Sequence, residues 1–416
     1  MQYLPGHDPV VARIIRQEES RIENTLDLIA AENHAPRSIF EAQGSIFSTK
    51  AAEGYPGSRF HAGCGFADEL ESLAIARAKR LFGAEHANLQ PHSGVAANLA
   101  VYLSVLEVGD RILTLKLSHG GHLSHGHPSS ITSKCFHFKH YGLNLETERI
   151  DYDEIGELAH SFKPRMIVAG ASSYPRLIDY EKMAEIARSI SAYFMVAMAH
   201  IAGLVAAGVI PGPVSHADFV TFTTYKTLNG GRGGVILCRQ EHAQKISKTI
   251  FPGAQGTPSL NLVAAKAVCF KLALEPEFKE RQKKTLENAA AFAAGFEKKG
   301  YRIVTGGTDN HLVLVDLRSK ALTGDVAEKA LESVGIIVNR NVIPGDPQRP
   351  DITSGIRVGS PAITTRGMAA QEVAQIVDLM DIAMLNNKNH DVLEQVSQQV
   401  ADLCRKFPVY KTYTDS

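Results

Sequence analysis

The sequence has no excess of charge of either sign, no long apolar run and few cysteines. Lys+Arg and Asp+Glu both number 44, so the formal net charge is zero, and neither a nucleic-acid nor a membrane-surface partner is predicted. No apolar stretch reaches the roughly 18 residues that a membrane-spanning helix needs. The N-terminal segment also lacks the apolar core of a signal peptide. These absences argue against nucleic-acid binding, membrane insertion and secretion.

Cysteine usage bears on the cellular compartment and on metal binding. The cysteines are odd in number, and they form neither a CxxC pair nor a Cys/His spacing typical of a metal site. They are Cys64, Cys135, Cys238, Cys269 and Cys404. Such usage is typical of reduced thiols, so we expect a cytoplasmic protein without a bound metal ion.

Apolar runs and helical stretches alternate along most of the chain. This alternation predicts an α/β fold with a mainly parallel sheet that is covered on both faces. The predicted strands lie at 111–117, 165–171, 193–199, 218–225 and 233–238. Helical spacing predicts helices over 8–32, 68–82 and 180–192.

The C-terminal part of the chain is organised differently. Residues 259–299 are rich in Ala, Lys and Glu and predict a long helical connector. Beyond it, a smaller α+β domain is indicated by strands at 301–307, 310–317, 335–341 and 355–360 and by helices near 368–386 and 390–406. The predicted domains are an N-terminal helical arm (1–45), a large domain (46–275) and a small domain (276–416).

A lysine lies between an apolar run and a glycine-rich turn in the segment DFVTFTTYKTLNGGRGG (218–234). Ligands bind at the carboxyl ends of strands in open α/β sheets, and a partly desolvated Lys226 there can supply the amine of a Schiff base. An ordinary surface lysine in a loop fits the same spacing, and on spacing alone it is the more frequent case.

A small polar pair opens a predicted helix in the segment QPHSGVAANLAVYLSVL (90–106). The backbone N–H groups at a helix start attract a phosphate, which makes Ser93 and Gly94 candidate phosphate ligands. A helix cap without any ligand explains the same residues.

Two further motifs allow more than one interpretation. Four histidines lie between His119 and His127, in a stretch without Cys, Asp or Glu. They fit a metal site, an unligated loop, or one ring stacked on a planar cofactor. Arg357, between apolar and glycine residues of SGIRVGSP (354–361), fits a carboxylate clamp or a structural ion pair.

Taken together and in order, ten motifs resemble those of serine hydroxymethyltransferases from end to end. They are LIAAEN (28–33), EAQGS (41–45), AEGYPGSR (52–59), QPHSG (90–94), SHGGHLSHG (118–126), MAHIAGLVAAG (198–208), YKTLNGGRGG (225–234), FPGAQG (251–256), GGTDNHLVLVDL (306–317) and TSGIRVGSPAIT (353–364). The resemblance implies a pyridoxal-phosphate (PLP) enzyme of fold type I, in one-carbon and amino-acid metabolism.

The resemblance also implies roles for individual residues. Lys226 would form the Schiff base with PLP, and His122 would stack on the pyridine ring. The remaining cofactor contacts would be Ser93 and Gly94 at the phosphate, Ser172 and His200 at the phenolic oxygen, and Gly253 and Ala254 where a neighbouring subunit approaches the phosphate. Arg357 would bind the substrate carboxylate, and Glu53 would serve proton transfer and folate binding. Tetrahydrofolate would contact Leu117, Leu123 and Asn341, in a homodimer with shared active sites or in a tetramer.

Five positions depart from the family pattern. Ala197 replaces the Asp that bonds the pyridine nitrogen and keeps it protonated, which deepens the electron sink at Cα. Ala31 replaces a Ser near the substrate carboxylate, and Ala51 and His61 each replace a Tyr. Tyr225 replaces the His before the Schiff-base lysine. All five belong to the cofactor or substrate surroundings.

The kept and altered residues leave three hypotheses. The first is aldol-type cleavage or hydroxymethyl transfer at Cα–Cβ of a small β-hydroxy amino acid, favoured by Lys226, Arg357, His122 and Glu53. The second is a PLP enzyme of divergent chemistry, favoured by the departures. The third is a non-catalytic paralogue that binds PLP, a small molecule or a protein partner.

Overall fold

The computed structural model describes residues 3–410 of the chain. The chain folds into two compact units. The large unit comprises residues 35–283, and the small unit comprises the residues up to His34 together with those from Lys284 onward. The predicted domain boundaries after residues 45 and 275 stay predictions, and the two units divide after residues 34 and 283.

Seven strands form the central sheet of the large unit. They are β1 (His86–Asn88), β2 (Arg111–Leu115), β3 (His137–Tyr141), β4 (Met166–Ala169), β5 (Tyr193–Ala197), β6 (Phe219–Thr223) and β7 (Gly234–Cys238). Their order across the sheet is β1-β7-β6-β5-β4-β2-β3. The neighbours from β6 to β3 are all parallel, whereas β7 is antiparallel to both β6 and β1. The predicted α/β fold with a mainly parallel sheet is confirmed.

Alternate residues of the same strand pack into two different cores. Phe194 and Val196 of β5 belong to one buried cluster, and Met195 between them belongs to another. Successive side chains of a strand point to opposite faces, so a sheet covered on both faces needs continuous apolar strands. This requirement explains why these strands read as unbroken apolar runs in the sequence.

Helices flank the sheet along the chain of the large unit. They are Arg37–Gln43, Gly65–Phe82, Gly94–Val105, Thr132–Cys135, Tyr152–Phe162, Tyr180–Ser189, Ala202–Ala206, Ala243–Lys248 and Leu260–Ala273. The first long one ends where Gly83 takes a left-handed conformation with φ of 66°, as a glycine after a helix allows. A short hairpin pairs Gly54–Tyr55 with Ser58–Arg59.

The helical stretch predicted over 259–299 is two helices rather than one. Leu260–Ala273 is followed by Pro276–Lys298, which contains the position where the two units divide. Proline is well placed in the first turn of a helix because it lacks an N–H group, and in the interior it breaks the helix. Pro276 therefore starts a new helix.

The small unit has its own antiparallel sheet and its own buried core. Its strand order is Arg302–Ile303, Leu312–Asp316, Gly355–Gly359 and Asn339–Asn341, and every neighbouring pair is antiparallel. Its helices are Leu4–His7, Pro9–Asn24, Gly324–Ser333, Pro361–Thr365, Ala370–Leu385 and His390–Lys406. The helix predicted over 8–32 ends at Asn24, because Leu26–Asp27 pairs as a strand with Ile336–Ile337. The smaller α+β part is confirmed.

Two observations concern the thiols and the helices. All five cysteines are free thiols. Within residues 3–410, every helix is too short or too polar to cross a membrane.

Lys266 is a buried lysine that joins three segments of the large unit. Its Nζ donates to the carbonyl oxygens of Leu89 at 2.5 Å, Pro91 at 3.2 Å and Gly234 at 2.8 Å. Burial lowers the pKa of Lys266 to about 7. Three carbonyl acceptors match the three N–H donors of the ammonium form, so this side chain fixes the loop that precedes Ser93.

We expect Lys266→Met to lower the free energy of unfolding by about 3 kcal/mol, because three carbonyl groups lose their donor inside the protein. Denaturant unfolding followed by circular dichroism measures this change. Lys279→Met is the matched control, since Lys279 is exposed on the next helix and should change stability by less than about 0.5 kcal/mol. Equal stabilities of the two variants would contradict the structural role of Lys266.

Candidate functional site

A cavity of about 120 Å³ opens at the carboxyl ends of four neighbouring parallel strands, β2, β4, β5 and β6. This is the edge at which open α/β sheets bind ligands. Eight of the site residues predicted from the sequence line it: Ser93, Gly94, His122, Ser172, Ala197, His200, Tyr225 and Lys226. The structure therefore brings together residues that lie more than a hundred positions apart in the sequence.

Lys226 follows the end of β6 and is buried, with 7% of its surface exposed. Its Nζ lies 5.7 Å from the ring centroid of Tyr225, and Arg232 lies 4.3 Å from the same ring. Thr227 holds the segment in place, because its hydroxyl donates to the carbonyl of His200 at 2.8 Å. The surface-loop alternative for Lys226 is wrong, since the side chain lines the cavity.

Ser93 and Gly94 begin the helix Gly94–Val105 beside the cavity. The Ser93 hydroxyl accepts a hydrogen bond from the N–H of Ala96 at 3.1 Å, so Ser93 is a helix cap. A Cβ atom on Gly94 would lie 2.8 Å from Cγ2 of Thr223, so glycine allows the helix start to approach β6. The capping role and a phosphate-binding role are compatible, because N–H groups at a helix start favour an anion.

A directed chain of hydrogen bonds orients the ring of His122. Its Nδ1 accepts from the backbone N–H of Ser124 at 3.2 Å and contacts the Ser124 hydroxyl at 2.8 Å. That hydroxyl accepts from Nδ2 of Asn98 at 2.9 Å, and Oδ1 of Asn98 accepts from the Thr221 hydroxyl at 2.6 Å. Since Nδ1 is an acceptor, the neutral His122 ring carries its proton on Nε2.

The other three histidines of the 119–127 run lie in different surroundings. Nδ1 of His119 accepts from the N–H of Leu143 at 2.8 Å, and Nδ1 of His127 accepts from the N–H of Ser129 at 3.2 Å. His125 is buried and lines the cavity. Among residues 3–410, no three or more His, Cys, Asp or Glu side chains are grouped so that they could hold a metal ion.

Ser172 lies in the loop after β4, and Ala197 is the last residue of the adjacent strand β5. The N–H of Ser172 donates to the carbonyl of Gly120 at 2.7 Å, which links the loop after β4 to the loop after β2. A Cβ atom on Gly170, whose φ is +124°, would lie 2.1 Å from the carbonyl oxygen of Ala197. Glycine at position 170 therefore lets the two strand ends come close together. Ala197 itself presents only a methyl group to the cavity and pairs in register with Thr221.

Burial controls the protonation of the cavity histidines. It lowers the pKa of His122, and the charge of Lys226 lowers it further. It lowers the pKa of His125 to about 3, with smaller contributions from His122 and His140. Both rings are therefore neutral near neutral pH.

Several predicted residues of the large unit lie outside the lining of this cavity. Glu53 and His61 form a partly exposed pair, with Oε2 and Nε2 2.8 Å apart. Gly253 and Ala254 precede Gln255, which accepts from the N–H of His92 at 3.1 Å beside the helix start. Three other residues that the sequence analysis assigned to the site are exposed: Ala51, Leu117 and Leu123.

The remaining predicted residues belong to the small unit. Arg357 lies on the strand Gly355–Gly359, and its Nε donates to Oδ1 of Asn339 at 3.1 Å. Burial lowers the pKa of Arg357 to about 10. Nδ2 of Asn341 donates to the carbonyl of Val342 at 2.7 Å, and Ala31 is half-buried.

Sequence reasoning did not assign four polar residues of the cavity to the site: Asn98, His125, Thr221 and Thr223. Two signals were available. Asn98 lies four residues after Gly94, so both face the same side of the helix. Thr221 and Thr223 alternate in an otherwise apolar strand, and polar residues at this period share one face.

The chain was compared with models of known protein families. The family model described as serine hydroxymethyltransferase matches residues 4–380, which is nearly the whole chain.

Proposed function

This chain belongs to the serine hydroxymethyltransferase family of fold-type-I PLP enzymes, and we propose that it acts at the Cα–Cβ bond of a small β-hydroxy amino acid with altered activity. The reaction would be aldol or retro-aldol cleavage, or hydroxymethyl transfer with tetrahydrofolate as acceptor. The observation that carries the proposal is the buried Lys226 amine, which shares one cavity with a helix start and with the oriented His122 ring.

The residues of the cavity fit PLP. An amine is available for the aldehyde, the N–H groups after Ser93 suit a phosphate, and His122 is a flat ring suited to stacking. Gly94 leaves room at the helix start that a Cβ atom would fill, 2.8 Å from Cγ2 of Thr223. PLP, when bound, supplies an electron sink for bonds at Cα.

The protein's own residues would hold and orient the reactants. Lys226 would hold the cofactor through its amine, and Ser172 and His200 would bond its phenolic oxygen. Ser124 fixes the His122 ring at 2.8 Å, so stacking needs no further ordering of that side chain. The fork of Arg357 would bind the substrate carboxylate with two parallel hydrogen bonds.

Ala197 supports altered rather than ordinary activity. A methyl group cannot hold a proton on the pyridine nitrogen, so the sink at Cα would be shallower than with a carboxylate. Loss of about 4 kcal/mol of transition-state stabilisation would slow the reaction about a thousandfold. Ordinary hydroxymethyl transfer would then be slow.

A PLP enzyme of divergent chemistry is the second candidate, and the Glu53–His61 pair favours it. The family carries a Tyr at position 61, whereas here an imidazole lies 2.8 Å from a carboxylate on a partly exposed surface. Histidine is the side chain most often used as a general acid or base, and a carboxylate beside it orients the ring. A non-catalytic role is less well supported, because Lys226 and Arg357 are both retained.

We also propose a homodimer with shared active sites. Large apolar side chains near Glu53 in the sequence are exposed, namely Ile46 at 86%, Phe60 at 74% and Phe66 at 79%. Exposed apolar patches mark interaction surfaces. Folate contacts at Leu117, Leu123 and Asn341 remain part of the same proposal.

We expect Lys226 to carry the cofactor. Borohydride reduction of the protein with PLP, followed by peptide mapping, should place the pyridoxyl group on Lys226, because its buried amine lines the cavity. Lys226→Ala should abolish the label, and Lys279→Met should retain it. A label on Lys266, the other buried lysine near the helix start, would contradict the assignment.

We expect Arg357→Lys to weaken the binding of an amino-acid substrate at least about tenfold, or roughly 1.4 kcal/mol, because an ammonium group cannot copy the planar fork. The KM or Kd for serine or glycine measures this effect. Arg340→Lys is the matched control, since Arg340 lies on the neighbouring strand and its Nη1 lies 3.3 Å from Glu328. Unchanged affinity in Arg357→Lys would assign the residue a structural role.

We expect Ala197→Asp to gain a long-wavelength absorption band when glycine is added, together with faster cleavage of a β-hydroxy amino acid. The new carboxylate would keep the pyridine nitrogen protonated and deepen the sink at Cα. Ala199→Asp places a carboxylate elsewhere in the same cavity and should gain neither property. A strong band and rapid folate-dependent serine turnover in the unmodified protein would show that the activity is not altered.

A further inference from the structure

His125 lines the cavity but has no part in the function proposed above. Its side chain is 2% exposed, and its Nδ1 has no hydrogen-bond partner among residues 3–410. A buried polar group without a partner costs about 1–3 kcal/mol. An imidazole nitrogen left in this state beside a cavity points to a ligand atom as its partner.

The neighbours of His125 decide which nitrogen carries the proton. The Thr221 hydroxyl donates to Oδ1 of Asn98 at 2.6 Å, so the amide nitrogen of Asn98 faces the other way. That nitrogen lies 2.9 Å from the Ser124 hydroxyl and 3.4 Å from Nε2 of His125. Because the amide nitrogen only donates, Nε2 of His125 is the acceptor and the ring proton is on Nδ1. The atom without a partner is therefore a donor.

The same contacts connect His125 to the position of the missing carboxylate. Ala197 pairs in register with Thr221, whose hydroxyl is already used by Asn98. None of the described residues that line the cavity is an Asp or a Glu. A protonated pyridine nitrogen would therefore be a buried cation without a carboxylate beside it, which is costly. An unprotonated nitrogen needs only a neutral donor.

We infer that His125 donates its Nδ1–H to the pyridine nitrogen of bound PLP, in place of the carboxylate that the family carries at position 197. The inference rests on the proposed function, since it needs PLP in this cavity. Burial keeps the donor neutral, because it lowers the pKa of His125 to about 3. The ring would then be hydrogen-bonded but uncharged, so His125 sets how much charge the cofactor withdraws from Cα.

The test compares PLP with its 1-deaza analogue, in which a C–H group replaces the ring nitrogen. The measured quantity is the Kd of the analogue divided by the Kd of PLP. This ratio should fall about tenfold in His125→Leu, because one hydrogen bond worth about 1.4 kcal/mol is lost for PLP alone. A general disturbance of the cavity would weaken the binding of PLP and of the analogue equally, so it would leave the ratio unchanged. An unchanged ratio in His125→Leu overturns the inference.

His140→Leu is the matched control. His140 contacts the Thr114 hydroxyl at 2.8 Å, and that hydroxyl donates to the carbonyl of His125 at 2.9 Å, but His140 does not belong to the cavity lining. The ratio should stay as in the unmodified protein. A fall as large as in His125→Leu would overturn the inference, because the effect would then come from the loop.

A second measurement needs no variant. The ¹⁵N resonance of ring-labelled PLP in the unmodified protein should lie in the range of an unprotonated, hydrogen-bonded pyridine and should stay there across neutral pH. A pyridinium resonance overturns the inference. If the unmodified protein binds neither PLP nor the analogue, the proposed function fails; if Lys226 is labelled but the ratio does not depend on His125, only this inference fails.

Discussion

The position of the cavity depends on four adjacent parallel strands that end together at one edge of the sheet. β2, β4, β5 and β6 are buried along nearly their whole length, so their backbone groups pair within the sheet and their side chains fill two cores. The side chains that line the cavity therefore lie beyond the strand ends or, as with Ala197 and Thr221, in the last residues of a strand. Sliding β5 by one residue would exchange Met195 with its neighbours between the two cores, so packing fixes the register and, with it, the place of His200.

Within this frame, Asn98 determines the hydrogen-bonding character of the cavity. Its amide joins the Thr221 hydroxyl on β6 to Ser124 and His125 on the loop after β2. Each contact assigns one donor and one acceptor. The tautomer of His125 follows from the orientation of this amide, whereas that of His122 follows from the backbone N–H of Ser124, which donates to its Nδ1. His122 offers a flat neutral ring and His125 offers an N–H. A network of neutral groups suits a buried site, where an unpaired charge is more costly than an unpaired dipole.

The sequence predicted local features well and distant ones poorly. Five of the seven strands of the large sheet follow from short unbroken apolar runs, and most helices follow from helical spacing, which neighbouring residues fix. The pairing of Leu26–Asp27 with Ile336–Ile337 could not be predicted, because nothing local distinguishes a two-residue strand at the end of a helix. Ser93, His122 and Lys226 were found through ordered motifs. The roles of Asn98, Thr221 and His125 depend on distances between separate segments, which a single sequence does not contain.

The loss of the carboxylate at position 197 and the retention of His125 make sense as a single electrostatic change. With Ala197 in place of an Asp, the pyridine nitrogen of a bound ring has no carboxylate to bond. The buried Nδ1 of His125 also has no hydrogen-bond partner among the described residues. Because no Asp or Glu is among the described residues of the lining, protonation of the ring would create a buried cation, whereas a neutral ring satisfies the imidazole donor. A hydrogen bond between Nδ1 of His125 and the pyridine nitrogen would then satisfy both groups. The cavity would therefore keep the cofactor in place while weakening the charge that drives carbanion chemistry at Cα.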